Sequence, residues 1–174
     1  MFAAAAMTMC MLCGCNASGR VHDKAYLRAA ALDDEGSITL AFFSDDEALT
    51  VRGGDIPEAL GNAEVKLGKR IFTGYTELVI LSSSQGCEEL KYLLRDWRVP
   101  PSCLTVCSSG SGERILKSND PQALADGVRL AAKRDDAPPS DIITVLENML
   151  ADDFSETASL SVSGDVSTGV IGNG

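Results

Sequence analysis

The chain has 174 residues, 45% of them hydrophobic and 23% charged, a composition that supports one globular domain with a core and excludes a disordered chain. Its net charge of −10, from 25 acidic and 15 basic residues, repels phosphate, so nucleic acid is not expected as a partner. The same balance excludes adhesion to anionic lipid by charge, and attachment to a membrane has to be hydrophobic or covalent.

Residues 1–14, MFAAAAMTMCMLCG, carry no charge. The run is shorter than the about 20 residues of a spanning helix and has the length of a signal-peptide apolar region. It ends in Leu12-Cys13-Gly14-Cys15, which resembles the lipobox of bacterial lipoproteins. There Leu stands three residues before the cut, two small residues follow, and a cysteine becomes the first residue. The resemblance implies a diacylglycerol thioether on Cys15. Two features depart from that pattern: Cys13 stands where Ala or Ser is commoner, and no Lys or Arg precedes the apolar run. Residues 15–23 turn polar and read as a tether between lipid and a folded domain.

The domain is expected over 24–154. Residues 24–32 (KAYLRAAAL) read as a buried strand, 33–36 as a turn, and 37–43 (SITLAFF) as a second strand that makes a hairpin with the first. Residues 48–52 form a candidate third strand, closed by Gly53-Gly54. Asp55 offers an N-cap, with Pro57 in the first turn and Glu58 three residues on. Ile56, Leu60, Ala63 and Leu67 give the helix one buried face, and Gly68 ends it.

Residues 77–81 (ELVIL) have the uninterrupted apolar pattern of a central strand covered on both faces. A second helix is predicted over 86–96 with Leu90, Leu93 and Leu94 inward, stopped by Pro100-Pro101. A short strand follows at 104–107. Residues 112–117 read as one or two helical turns and 121–134 as a helix with Leu124, Val128, Leu130 and Ala131 in its stripe. Ser140 is the expected cap of a last helix running to Leu150. The Ser, Thr and Gly-rich tail 155–174 reads either as a late edge strand or as disordered. The order argues for an α+β or mixed α/β fold, a mixed sheet with an N-terminal hairpin, flanking helices and a helical C-terminal third.

No catalytic constellation emerges. The one histidine, His22, falls in the tether, where a solvated residue is a simpler reading than a Ser-His-Asp base. Ser108-Ser109-Gly110-Ser111-Gly112 sits between a strand and a helix, the position of a phosphate-binding turn. It lacks a Walker lysine, and a plain βα loop is the preferred reading. A metal would have to be held by Cys87, Cys103, Cys107 and carboxylates, and no paired close spacing supports that. Cys103 and Cys107 fall on one side of a strand about 13 Å apart, too far to bond to each other. The acidic doublets at 33, 45, 135 and 152 read as solvated turns. Lys66, Lys69 and Arg70 form a local basic cluster beside Phe72-Thr73-Gly74-Tyr75, and Lys69, Arg70, Phe72 and Tyr75 are the candidate partner contact. No cofactor is expected.

Several segments in order resemble the N-terminal domain of the C subunit of spore germinant receptors, the Ger(x)C lipoproteins. They are 25–33 (AYLRAAALD) after the lipobox cysteine, 54–60 (GDIPEAL), 69–80 (KRIFTGYTELVI), and Leu93-Leu94-Arg95-Asp96 followed by Val99-Pro100-Pro101. Tyr75 replaces the family's usual His. The resemblance spans about residues 15–155 and implies a non-enzymatic lipoprotein on the outer face of the spore inner membrane. Its partners would be an integral-membrane A subunit and a transporter-like B subunit. The family's usual chain continues into two further domains. The alternatives are a solute-binding or envelope-assembly lipoprotein without a germination role, and a small hydrolase using the 108–112 loop.

Overall fold

A computed structural model describes residues 23–33, 36–45, 47–82 and 85–172. The expected signal segment at 1–14, Cys15 and His22 lie outside the described residues. The element order is β1 (Lys24–Leu32), β2 (Ser37–Phe42), β3 (Leu49–Arg52), α1 (Ile56–Leu67), β4 (Arg70–Phe72) and β5 (Leu78–Leu81). Then come α2 (Cys87–Tyr92), β6 (Leu104–Ser108), α3 (Gly112–Ser118), α4 (Pro121–Lys133), α5 (Ile142–Asp152), β7 (Phe154–Leu160) and β8 (Val166–Gly172).

One mixed sheet runs β3-β2-β1-β5-β6-β7-β8, with β4 also paired to the start of β1. The inner strands β1, β5, β6 and β7 are parallel, and antiparallel strands flank them on both sides. Helices α1, α2 and α5 cover one face of the sheet and α3 and α4 the other. Every side chain of β5 is fully buried, as its uninterrupted apolar run requires. Each such Leu, Val or Ile contributes about 2 kcal/mol relative to exposure.

Small residues let the layers approach closely. Ala29, Ala30 and Ala31 are fully buried in β1, and a Cβ on Gly112 at the start of α3 would lie 2.7 Å from that of Ala31. Helix α1 buries Ala59 and Ala63. Its start is the predicted reciprocal cap: Glu58 N donates to Asp55 Oδ1 (2.8 Å) and Gly54 N to Glu58 Oε2 (2.7 Å). Gly68 ends it at φ 62°, a left-handed position that suits glycine. The last turn of the second helix widens at Leu93–Trp97 into π-type geometry, which carries Trp97 into the core.

Three expectations need correction. Of the two readings of 155–174 the late strand holds, but the domain does not stop at 154: residues 154–172 supply β7 and β8 of the sheet, so the C-terminal third ends in strands. Ser140 does not cap the last helix; Asp141 does, accepting from Thr144 N at 3.0 Å. Ser140 is instead buried where the chain passes between the lower halves of β6 and β7. Its carbonyl accepts from Thr105 N (2.6 Å) and its Oγ from Ala158 N (2.8 Å). This is how the chain crosses from the α4 face to the α5 face. Asp33 is not a solvated turn residue, because its carboxylate accepts from Gly112 N (2.8 Å) and Glu113 N (3.0 Å) at the start of α3.

Candidate functional site

The parallel strands have a top, at their C-terminal ends, and a base, at their N-terminal ends. Ligands of open α/β sheets usually bind at the top. Here a groove of about 440 Å³ opens between Asp33, Asp55 and Glu89, but the acids that line it are engaged by the fold. Asp33 occupies the first amides of α3, the position a phosphate would take in the 108–112 loop. Asp55 caps α1 and Glu89 Oε2 accepts from Gly86 N (2.8 Å) ahead of α2. Serine and glycine at 108–112 therefore form a plain βα connection, with Ser111 capping α3.

The base is built differently. Ala25 and Leu27 of β1 point into the α1 face, so alternation turns Tyr26 to the opposite face. Tyr26 stands in register with Phe72 of β4, and their ring centroids are 5.6 Å apart. Tyr75 stacks on Tyr26 (5.9 Å, 18°) and meets Phe72 edge-on (5.0 Å, 68°). Such pairs contribute about 1 kcal/mol each beyond burial. Gly74 makes room for this: a Cβ there would lie 2.9 Å from Phe72 Cζ. The turn that aims Tyr75 is pinned by Thr76, whose N and Oγ1 both donate to Thr73 O (3.0 and 2.7 Å). Thr73 Oγ1 in turn donates to Trp97 O.

Cations complete the surface. Lys24 Nζ lies 5.5 Å from the Phe72 centroid and the Arg28 guanidinium 4.1 Å from that of Phe43, contacts of about 1 kcal/mol each. A bulge in β1 between Leu27 and Ala29 re-aims Arg28. Arg28 Nε is 3.9 Å from Glu77 Oε2, close enough for attraction and too far for a hydrogen bond. Both atoms are buried without a hydrogen-bond partner. A groove of about 590 Å³ opens beside them, lined by Phe43, Tyr75, Glu77, Pro100 and Arg129. Arg129 pairs with Asp126 at 3.1 Å. The Asp126 carboxyl is held below its usual range by the Gln122 hydrogen bond first, with Arg129 and Arg28 adding to it. Phe43 and Tyr75 remain 41% and 60% exposed.

Of the four predicted contact residues, the structure brings together Phe72 and Tyr75. Arg70 turns toward α1 and pairs with Glu64 (3.0 Å), and exposed Lys69 lies next to it in a shallow groove shared with Asp23. The residues not foreseen are Lys24, Tyr26, Arg28, Phe43 and Glu77. The aromatic spacing gave no hint of Tyr26, because only the β1–β4 register brings it to Phe72.

On the α1 face the same end of the sheet is dry. Burial pushes the Cys103 thiol up to about 12, and Cys103 and Cys107 are buried free thiols on one side of the sheet. Among the described residues no group of three metal-binding side chains occurs, and no helix is long and apolar enough to cross a membrane.

No curated protein and no solved structure matches the chain. The family model described as the spore germination protein N-terminal domain matches residues 29–161, from within β1 to the end of β7, a stretch that includes Phe43, Phe72, Tyr75 and Glu77 but begins after Lys24, Tyr26 and Arg28. With three quarters of its length covered, this chain belongs to the spore germination protein N-terminal domain family.

Proposed function

We propose that the protein is a lipoprotein anchored through Cys15, a subunit or accessory of a spore nutrient germinant receptor that acts by contact and not by catalysis. Family membership supports a role in germination. The observation that carries the finer reading is the base of the sheet, where exposed Lys24, Phe43 and Tyr75 and half-buried Tyr26, Arg28 and Phe72 gather at the start of β1. A nine-residue tether from Cys15 to Asp23 reaches at most about 30 Å when extended. A lipid on Cys15 would therefore keep the base near the membrane, and two acyl chains suffice for stable anchoring. Tyr26, Phe43, Phe72 and Tyr75, with Lys24 and Arg28, then face the integral-membrane A- and B-type subunits. Tyr, Phe and Arg are the residue types that anchor protein interfaces.

The test is genetic. Deleting the gene abolishes nutrient-triggered dipicolinate release, and the wild-type gene restores it. Cys15→Ala and the Tyr26→Ala, Tyr75→Ala double variant each fail to restore it, although the latter accumulates normally. Normal germination of the deletion strain would rule the proposal out. The solute-binding or envelope-assembly alternative predicts expression in growing cells, whereas a receptor subunit appears only in the developing spore.

A further inference from the structure

The sheet has two edges, and they are treated unequally. At one edge, β3 has four residues and ends in a charge, Arg52, whose carbonyl accepts from Asn62 Nδ2 of α1 at 2.8 Å. At the other, β8 is seven residues long, VSTGVIG, with no charge and no proline. All seven are paired with β7 on the inner side, and among the described residues nothing pairs with the outer side. A long uncharged edge of this kind is a template for another strand.

The outward groups can be identified. Leu160 O accepts from Ser109 N, and Ala158 N donates to Ser140 Oγ, so the main chains of Ala158 and Leu160 face β6. By alternation, Ser155, Thr157 and Ser159 face β8 and bond with Ile171, Gly169 and Ser167. That leaves the main-chain N–H and C=O of Thr168 and Val170 pointing away from the sheet. Both residues are exposed, Val170 by 52%.

Charge decides what fits there. Residues 135–174 carry eight carboxylates and no Lys or Arg, so nearly all of the net −10 belongs to the segment that builds α5, β7 and β8. Glu156, exposed, stands directly opposite Val170 in the register, and Asp165 immediately precedes the strand. A second copy of this chain would set these acids against one another, which destabilises a strand pair. We propose that β8 receives an extended segment of another protein, one in which Lys or Arg alternates with β-branched residues. That segment adds a strand to the sheet through the outward groups of Thr168 and Val170. This site is separate from the base and does not depend on the receptor reading.

The experiment uses the full chain and two synthetic probes of the length of β8, one alternating Lys with Val and one alternating Glu with Val. The Lys peptide shifts the amide resonances of Thr168 and Val170 and slows their exchange, and salt weakens its binding; the Glu peptide does neither. Val170→Pro removes an outward N–H that the fold does not use, so the melting temperature holds while affinity for the Lys peptide falls about tenfold. Should that variant fold poorly, Val170→Lys places a repelling charge at the same position and weakens binding as well. No perturbation of Thr168 and Val170 by the Lys peptide, or equal perturbation by both peptides, overturns the proposal. So does a dimer of the full chain that Val170→Pro dissociates, which would put a second copy at this edge.

Discussion

The top and base of the parallel strands use the same kinds of residue for opposite ends. At the top, the carboxylates of Asp33, Asp55 and Glu89 are all engaged with backbone N–H groups at helix starts. At the base, Arg28 Nε and Glu77 Oε2 face each other without a hydrogen bond, and Tyr75 and Phe43 stand open beside them. Acidic composition thus says little about where a partner binds. What distinguishes a site is polar and aromatic capacity that the fold leaves unfilled, and here that capacity lies away from the customary end of the sheet.

The comparison can be broken most directly at Asp33. Asp33→Ala leaves two amides of α3 without their acceptor and is expected to cost about 2 kcal/mol, read from the denaturation midpoint, with Asp33→Asn losing less. An unchanged midpoint would mean that this carboxylate does not hold the start of α3. A separate response, to alkali, comes from the buried thiol on the α1 face of the base. The Cys103 thiol rises from 9.0 to about 12 on folding, so between those values the unfolded chain has released a proton that the native state keeps. Stability from this group is complete below pH 9.0 and falls by roughly 1.4 kcal/mol per pH unit above it. Cys103→Ala should remove that slope in denaturation curves taken across the same range.

On the open side the effects on stability shrink. Tyr75→Ala removes two ring contacts of a mostly exposed side chain and should cost about 1–2 kcal/mol, while abolishing complementation of the deletion strain. A large loss of stability would recast the aromatic cluster as core. The smallest effect belongs to Arg70→Ala, since an exposed pair with Glu64 is worth at most about 1 kcal/mol. It should leave both melting temperature and germination nearly unchanged.

Local signals carried most of the architecture. The boundaries of β1, the Asp55 cap, the glycine stop at 68 and the four buried residues of β5 are all legible, because each depends on neighbours in sequence. The candidate surface was half legible. Phe72 and Tyr75 stand out within one turn, but Tyr26 joins them through a parallel register with a three-residue strand that leaves no periodic trace. Asp33 was misread for the same reason, its partners being on a helix far along the chain. The stretch 154–172 resembles a tail because half of its buried positions, Ser155, Thr157 and Ser159, are polar. Two of these hydroxyls find acceptors inside, Thr157 Oγ1 on Thr105 O at 2.7 Å and Ser155 Oγ on Glu156 O at 3.1 Å.

Where β8 passes the sheet, a Cβ on Gly169 would lie 2.2 Å from Cys107 Sγ. The thiol and Ser159 together occupy the space that any other residue at 169 would need, so the three positions behave as a single volume shared between β6, β7 and β8. Because the same Cβ would also lie 2.8 Å from Ser159 Cβ, a larger residue at 169 becomes acceptable within a lineage only after 107 has shrunk and β7 has given way at 159. A bulkier residue at 107 has no smaller partner left to make way for it. Substitutions at these positions are therefore ordered in time, and related chains are expected to show them as correlated pairs.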